Sequence, residues 1–323
     1  LVLPLLVSPA AASGGKQGYI VVYKAEIDPD QASSQLANAY GADVLSVYRH
    51  ALRASFVRAT AEQIEQISND PNVSFVEQNQ IWSIDAQTIA TGLSRVFAPA
   101  NSNLSINGEH DYTVDADVAV IDTGIDLDHP ELNVVAAINC TISGPNEGQC
   151  YGVKDDGHGH GSHVAGIIGA RDNGDGVVGI APGVRLWAVK VLTNYGSGTT
   201  AQIIAGIDWV AAHAADIEVA NMSIGGVGES PAQDLAIRNA VAAGVTFVLS
   251  AGNSNIDVDN YHPAGEPSAI TVSALADFDG LPGGLGAPTC RVDVDDTRAD
   301  FSNYGAGVDI AAPGVCIYST YMD

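Results

Sequence analysis

The chain has 323 residues, 46% of them hydrophobic, and sets 13 lysines and arginines against 38 aspartates and glutamates, a formal net charge of −25. A surface this acidic repels polyanions, so neither nucleic acid nor anionic membrane is expected as a partner. The length allows one to three domains with a sizeable core, and after the N-terminus no stretch reaches the roughly 18 unbroken apolar residues that a bilayer span requires.

Residues 1–15 run Leu-Val-Leu-Pro-Leu-Leu-Val and then Ser8-Pro9-Ala10-Ala11-Ala12-Ser13. An apolar core followed by small residues is the pattern of a secretory signal peptide. No methionine or basic start precedes it, so the chain is expected to begin part-way into its leader and the protein to be secreted. A disordered apolar tail is the alternative. Residues 16–84 carry a strand at 19–23, a helix at 30–40, strands at 44–48 and 54–59, a helix at 61–68 and a strand at 73–77. This βαββαβ order is the split, ferredoxin-like α+β pattern. Residues 1–84 hold only −3 of the net charge and the remainder −22, a balance that suits solubility, salt tolerance, calcium sites or basic substrates alike.

A polar, Asn/Ser-rich approach over 85–117 leads to the apolar strand 118–122, which ends in Asp122-Thr123-Gly124. An acid at the carboxyl end of a buried strand, followed by a glycine turn, sits where open α/β sheets place functional groups. Residues 156–166, Asp-Gly-His-Gly-His-Gly-Ser-His-Val-Ala-Gly, pack three histidines and four glycines before a small-residue run. They read as a loop entering a tightly packed helix near His160. The histidines His158, His160 and His163 have metal-ligand spacing, or supply a general base oriented by a carboxylate, or form a loop without chemistry. Further on come a buried strand at 184–192, helices at 203–215 and 235–243, and an apolar strand from 245 that ends in the small turn Ser250-Ala251-Gly252-Asn253. Residues 277–300 are a Gly/Asp-rich insertion.

Taken together, Asp122-Thr123-Gly124, His160-Gly161-Ser162-His163-Val164-Ala165-Gly166 and Ser250-Ala251-Gly252-Asn253, in that order, resemble the aspartate, histidine and oxyanion motifs of the subtilisin-like serine proteases, the subtilases. Ser162 stands where threonine is usual, and both are small and hydroxylated. The resemblance implies a parallel-sheet α/β domain over 85–323 with helices on both faces. In it His160 is the general base, Asp122 its orienting acid and Asn253 the oxyanion donor. It further implies that a polypeptide substrate is clamped between one edge at Gly196, Ser197 and Gly198 and a second at Ser223, Ile224 and Gly225. Residues 16–84, with Tyr19-Ile20-Val21 and the ending Pro71-Asn72-Val73-Ser74-Phe75-Val76-Glu77, resemble the I9-type inhibitory propeptide. That implies an intramolecular inhibitor and chaperone whose tail, around 78–84, lies in the cleft, with the mature start near 83–88. No catalytic cofactor and a monomeric state are expected. A structural calcium ion on Glu131, Asn173, Asp175 and Val177 is implied, with an ion-free turn as the alternative. Four cysteines in an exported chain suggest disulfides. Of the three connectivities, neighbour pairing is preferred, Cys140 with Cys150 and Cys290 with Cys316.

The family's nucleophile lies in a Gly-Thr-Ser-Met-Ala type motif, and these 323 residues hold none; Gly198-Thr199-Thr200 is the near match. The expectation is a fragment of a protease, cut at both ends and inactive as it stands. The alternatives are a non-catalytic homologue used for binding, and a zinc hydrolase built on His158, His160 and His163.

Overall fold

The computed structural model describes residues 15–83, 89, 90 and 92–322. The leader reading of residues 1–14 and most of the expected processing region, 84–88, lie outside them. The N-terminal unit runs β1 (Gln17–Tyr23), α1 (Pro29–Tyr40), β2 (Asp43–Tyr48), β3 (Ala54–Ala59), α2 (Ala61–Ser68) and β4 (Val73–Gln78). Its strands form one antiparallel sheet in the order β2-β3-β1-β4. Asp28 and Thr60 cap the two helices, Thr60 through a reciprocal capping box with Gln63. Both faces of this sheet are covered. Val21, Tyr23 and Val57 pack under α1 and α2 with Leu36, Ile64 and Ile67, while Ile20, Val22 and Phe56 point the other way into a second core. Two covered faces are the reason 19–23 reads as an unbroken apolar run and not as an alternating one.

The larger unit contains β6 (Asp117–Asp122), β7 (Val134–Asn139), α3 (His160–Gly169), β8 (Arg185–Lys190), β9 (Ser197–Thr199), α4 (Thr200–Ala212), β10 (Val219–Met222), α5 (Pro231–Ala242), β11 (Thr246–Ser250), β12 (Ile270–Ala276) and β13 (Ile310–Pro313), with β5 (Ile81–Ser83) reaching it from the N-terminal side. Its sheet is ordered β12-β11-β10-β6-β8-β7, with β13 beside β12. All of these pairings are parallel; a short strand, Thr297–Arg298, runs antiparallel on the end of β12. Side chains alternate along β6. Val118 and Val120 face α3, and Ala119 and Ile121 face α4 and α5. The chain passes from β6 to the far edge at β7, returns through α3 to β8, then crosses β6 through α4 to β10. Asp122 therefore ends the strand at which the winding reverses, where α/β sheets open a crevice.

Helices α4 and α5 lie between the two sheets, so one hydrophobic core runs from Ile20 and Phe56 through Ile203, Ile207, Ala236 and Ile237 to Ile121 and Phe247. Polar contacts fix the docking. The Glu77 carboxylate accepts from Ala232 N at 2.7 Å and from the Ser230 hydroxyl, capping α5 from the other unit. Asp208 accepts from His50 N and Ala51 N, both at 2.7 Å. Both disulfides pair neighbours as expected, Cys140 with Cys150 and Cys290 with Cys316.

Candidate active site

Asp122 is fully buried at the end of β6. Helix α3 starts at His160, the residue at which the sequence places its first turn, and brings the imidazole back onto Asp122. His160 Nδ1 lies 2.8 Å from Asp122 Oδ1 and 2.9 Å from Oδ2. A carboxylate on Nδ1 holds the proton there and leaves Nε2 as the acceptor. Burial disfavours the charged ring, but the Asp122 carboxylate, with Asp156 behind it, outweighs burial and raises the His160 pKa above its usual 6.5.

The start of α3 is built from groups whose roles the sequence leaves unread. Gly159 precedes the helix with φ of 92° and has no side chain to cap it. Thr123 Oγ1 instead accepts from Gly161 N at 2.9 Å. Asp156 collects four donors, the amides of His158, Gly159 and Ser162 and the Ser162 hydroxyl, all within 3.0 Å. Burial pushes the Asp156 pKa up, but these donors prevail and lower it. Ser162 Oγ also accepts from Asp126 N at 2.9 Å, so serine makes the bonds a threonine would. Beneath them Lys190, fully buried at the end of β8, donates to Thr123 O. Burial brings its pKa down to about 8 against the pull of Asp156 and Asp122. An added Cβ at Gly161 would lie 1.9 Å from Gly124 O. Gly161→Ala is accordingly expected to cost about 3 kcal/mol, read as a fall in the urea midpoint together with loss of the raised His160 pKa.

Asn253 follows β11 in the predicted turn. Asn303, fully buried, shapes that turn by donating to Ala251 O at 2.7 Å and accepting from Ser254 N and Ile256 N. His160 and Asn253 line one cavity of about 710 Å³ with Asn221, Ser223, Ile224 and Gly225. Its floor is the face of β11 and β12 that α4 and α5 do not cover, at Val248, Ser250, Val272 and Ala274. Tyr318, Ser319 and Tyr321 close one side. His158 and His163 line the cavity as well, and burial lowers the His163 pKa, helped by His160. Among the described residues the acidic or histidine groups close enough to share a cation are Asp126, Asp128 and Asp155, and Asp277, Asp279 and Asp295; no histidine belongs to either.

The expected first edge carries a strand. Residues 81–83 pair antiparallel with 197–199, Gly198 opposite Trp82, and Thr200 N donates to Gln80 O at 2.7 Å. A Cβ at Gly198 would lie 2.4 Å from Val191 O, so glycine is what lets this edge close. Residues 223–225 line the cavity but take no strand among the described residues; the next pair, Gly226–Val227, is bonded to Tyr261–His262. Glu131 meets the loop after α3, accepting from Val177 N at 3.0 Å and Asn173 Nδ2 at 3.4 Å, while Asn173 Oδ1 takes Asp175 N.

Residues 115–323 match the subtilase family, and residues 19–85 match the peptidase inhibitor I9 family. The chain belongs to the subtilase family. It is 36% identical over 304 residues to alkaline serine exoprotease A of Vibrio alginolyticus, covering 91% of this chain but 51% of that protein. It is 34% identical over 320 residues to a thermostable alkaline protease of Halalkalibacterium halodurans, covering 99% of this chain and 78% of the relative. Subtilisin NAT of Bacillus subtilis subsp. natto is 35% identical over 321 residues, covering 96% of this chain and 75% of the relative. A solved cold-adapted subtilisin-like serine proteinase superposes with a TM-score of 0.51 at 36% identity, over 68% of this chain and 69% of that one. The subtilase fold thus accounts for the parallel sheet, and the I9 match for the four-stranded N-terminal prodomain docked on α4 and α5.

Proposed function

We propose that this chain is the proenzyme portion of a secreted serine endopeptidase, with residues 16–84 as its inhibitory prodomain and 85–323 as part of its catalytic domain. The observation that carries the reading is the Asp122–His160 contact on the rim of the cavity that Asn253 also faces. With Nδ1–H held by Asp122, His160 Nε2 takes the proton of a serine hydroxyl as that oxygen attacks a peptide carbonyl. Asn253 donates to the oxyanion, and His160 returns the proton to the leaving amine. The substrate lies antiparallel on 197–199, the place that residues 81–83 occupy in the docked prodomain, and 223–225 form the opposite wall. Occupation of the same edge is what makes the prodomain an inhibitor.

The serine is the one participant with no matching motif in these 323 residues. A chain of this sequence is expected to give no peptide turnover and no covalent adduct with a serine-directed phosphonofluoridate. Stoichiometric labelling, read by intact mass, would overturn the assignment of the triad.

A calcium ion is proposed at Glu131, Asn173, Asp175 and Val177. Carboxylate and amide oxygens converge on this glycine turn, and Gly176 leaves room for the Glu131 carboxylate, since a Cβ there would sit 2.6 Å from Oε2; an ion would replace the bonds that Glu131 now accepts from Val177 N and Asn173 Nδ2. The ion would tie this loop to Glu131 and has no part in the bond-breaking steps. Adding a chelator should lower Tm by roughly 5 °C. Glu131→Gln should remove the response, and a Tm indifferent to chelator in the native sequence would rule the site out.

A further inference from the structure

The stretch between Cys140 and Cys150 is a loop of turn formers that the chemistry at His160 does not use. It grips the outer edge of the prodomain sheet. The pairing of β2 with β3 slips between Val44 and Ser46, which leaves Leu45 out of the ladder. A bulge of this kind frees backbone groups and bends the strand. Gln149 Nε2 donates to the freed Leu45 carbonyl at 2.8 Å, and Ser46 Oγ donates to Gly148 O at 2.7 Å. Gly148 has φ of 82°, and a Cβ there would lie 2.5 Å from the Tyr48 hydroxyl, so the loop reaches the strand only with glycine at this point. Glu147, its side chain 11% exposed, accepts from Asn79 Nδ2 at 3.2 Å and Thr199 Oγ1 at 3.0 Å on one oxygen, and from Arg58 at 3.3 Å on the other. Thr199 ends β9 and caps α4, and Asn79 Oδ1 accepts from Ala201 N on the first turn of that helix. One carboxylate therefore joins the prodomain sheet, the exit of the prodomain and the strand on which substrate is laid.

We propose that the disulfide-closed loop Cys140–Cys150 is the element by which the catalytic domain recognises its own prodomain, reading the bulged edge strand through Gln149 and Gly148 and coupling that recognition to the substrate edge through Glu147. The proposal rests on the reading of residues 16–84 as a docked inhibitory domain. The partner it selects is a β-strand edge with a bulge at the Leu45 position and a cation at the Arg58 position. Helices α4 and α5 supply apolar adhesion together with the Asp208 and Glu77 contacts; the loop adds the register of the edge strand and a charge.

Amide hydrogen exchange of the full chain tests this. His50 N and Ala51 N, bonded to Asp208, report docking, and Thr200 N, bonded to Gln80 O, reports occupation of the substrate edge. In Glu147→Gln, which weakens three of these bonds, and in Gln149→Ala and Ser46→Ala, which each remove one, exchange at those amides should quicken about tenfold. The amides of β6 and of β1 should keep their native rates. Unchanged exchange at His50 and Ala51 in all three variants overturns the proposal. Equal acceleration in β6 overturns it too, because the loop is then only a staple of the larger unit. If His50 and Ala51 exchange freely already in the unaltered chain, the docked-prodomain reading itself fails and takes the proposal with it.

Discussion

Asp122→Asn should drop the His160 pKa below 6.5 in this chain, and in a version that also carries the nucleophilic serine it should lower kcat by about 10⁴-fold. The size of the kinetic loss is that of serine-protease triads generally, subtilisin included; the direction follows from this geometry. With the carboxylate gone, its attraction and its bond to the ring disappear, and burial, which disfavours the charged ring, is opposed only by Asp156. The asparagine amide also no longer dictates which ring nitrogen carries the proton. The linkage changes sign with the substitution. In the native sequence the raised pKa gives a stability contribution that is complete below 6.5 and lost as pH rises through the folded value. In Asp122→Asn the contribution is lost as pH falls instead. A titration of the His160 ring by NMR checks the first part, and urea midpoints at pH 5.5 and 8.5 check the second. An unshifted ring in Asp122→Asn would mean that the 2.8 Å contact is not what sets its protonation.

The second large effect concerns release of the prodomain. Burial drives the Glu77 pKa from 4.5 to about 7, against the opposing bonds from Ser230 and Ala232 N. Asp234 raises it further and His262 lowers it. Exposed after dissociation, the group returns to its ordinary value. The docked state thus holds a proton that the separated state gives up, so docking is strongest below pH 4.5 and weakens as pH rises through 7. A displacement of this size is worth about 3 kcal/mol, roughly a hundredfold in the docking equilibrium. Exchange at His50 and Ala51 should therefore rise steeply between pH 5 and 8 after correction for the intrinsic pH dependence. Glu77→Gln should flatten most of that slope. A slope that survives Glu77→Gln would assign the effect to Asp208, whose pKa burial also raises and which accepts from His50 N and Ala51 N.

How far the sequence carries depends on whether a role is written locally. Asp122, His160 and Asn253 each sit in a short motif at a strand end or helix start, so residue type and neighbours suffice to find them. The βαββαβ order of the N-terminal unit is legible for the same reason. The helices expected from 203 and 235 begin earlier, at Thr200 and Pro231, because Thr199 and Gln202 form a capping box and proline suits a first helical turn. What stays hidden is contact between distant segments. Glu77 caps a helix 155 residues away. Lys190 lies under Thr123, and Asn303 holds the turn of Asn253 across 52 residues. Nothing in the residues around Glu147 announces that Arg58, Asn79 and Thr199 converge on it. The expected second edge, 223–225, lines the cavity, and among the described residues pairing with a strand is seen on the first edge alone.

The two-sided burial of the prodomain sheet has a consequence for its fate. Ile20, Val22 and Phe56 are shielded from water by a neighbour and not by their own unit. Once that neighbour is gone they form an oily stripe on a body of some seventy residues, too small to spare so much core. On the proposed zymogen reading, a detached prodomain is expected to be short-lived and prone to open and be digested, so that its release does not reverse.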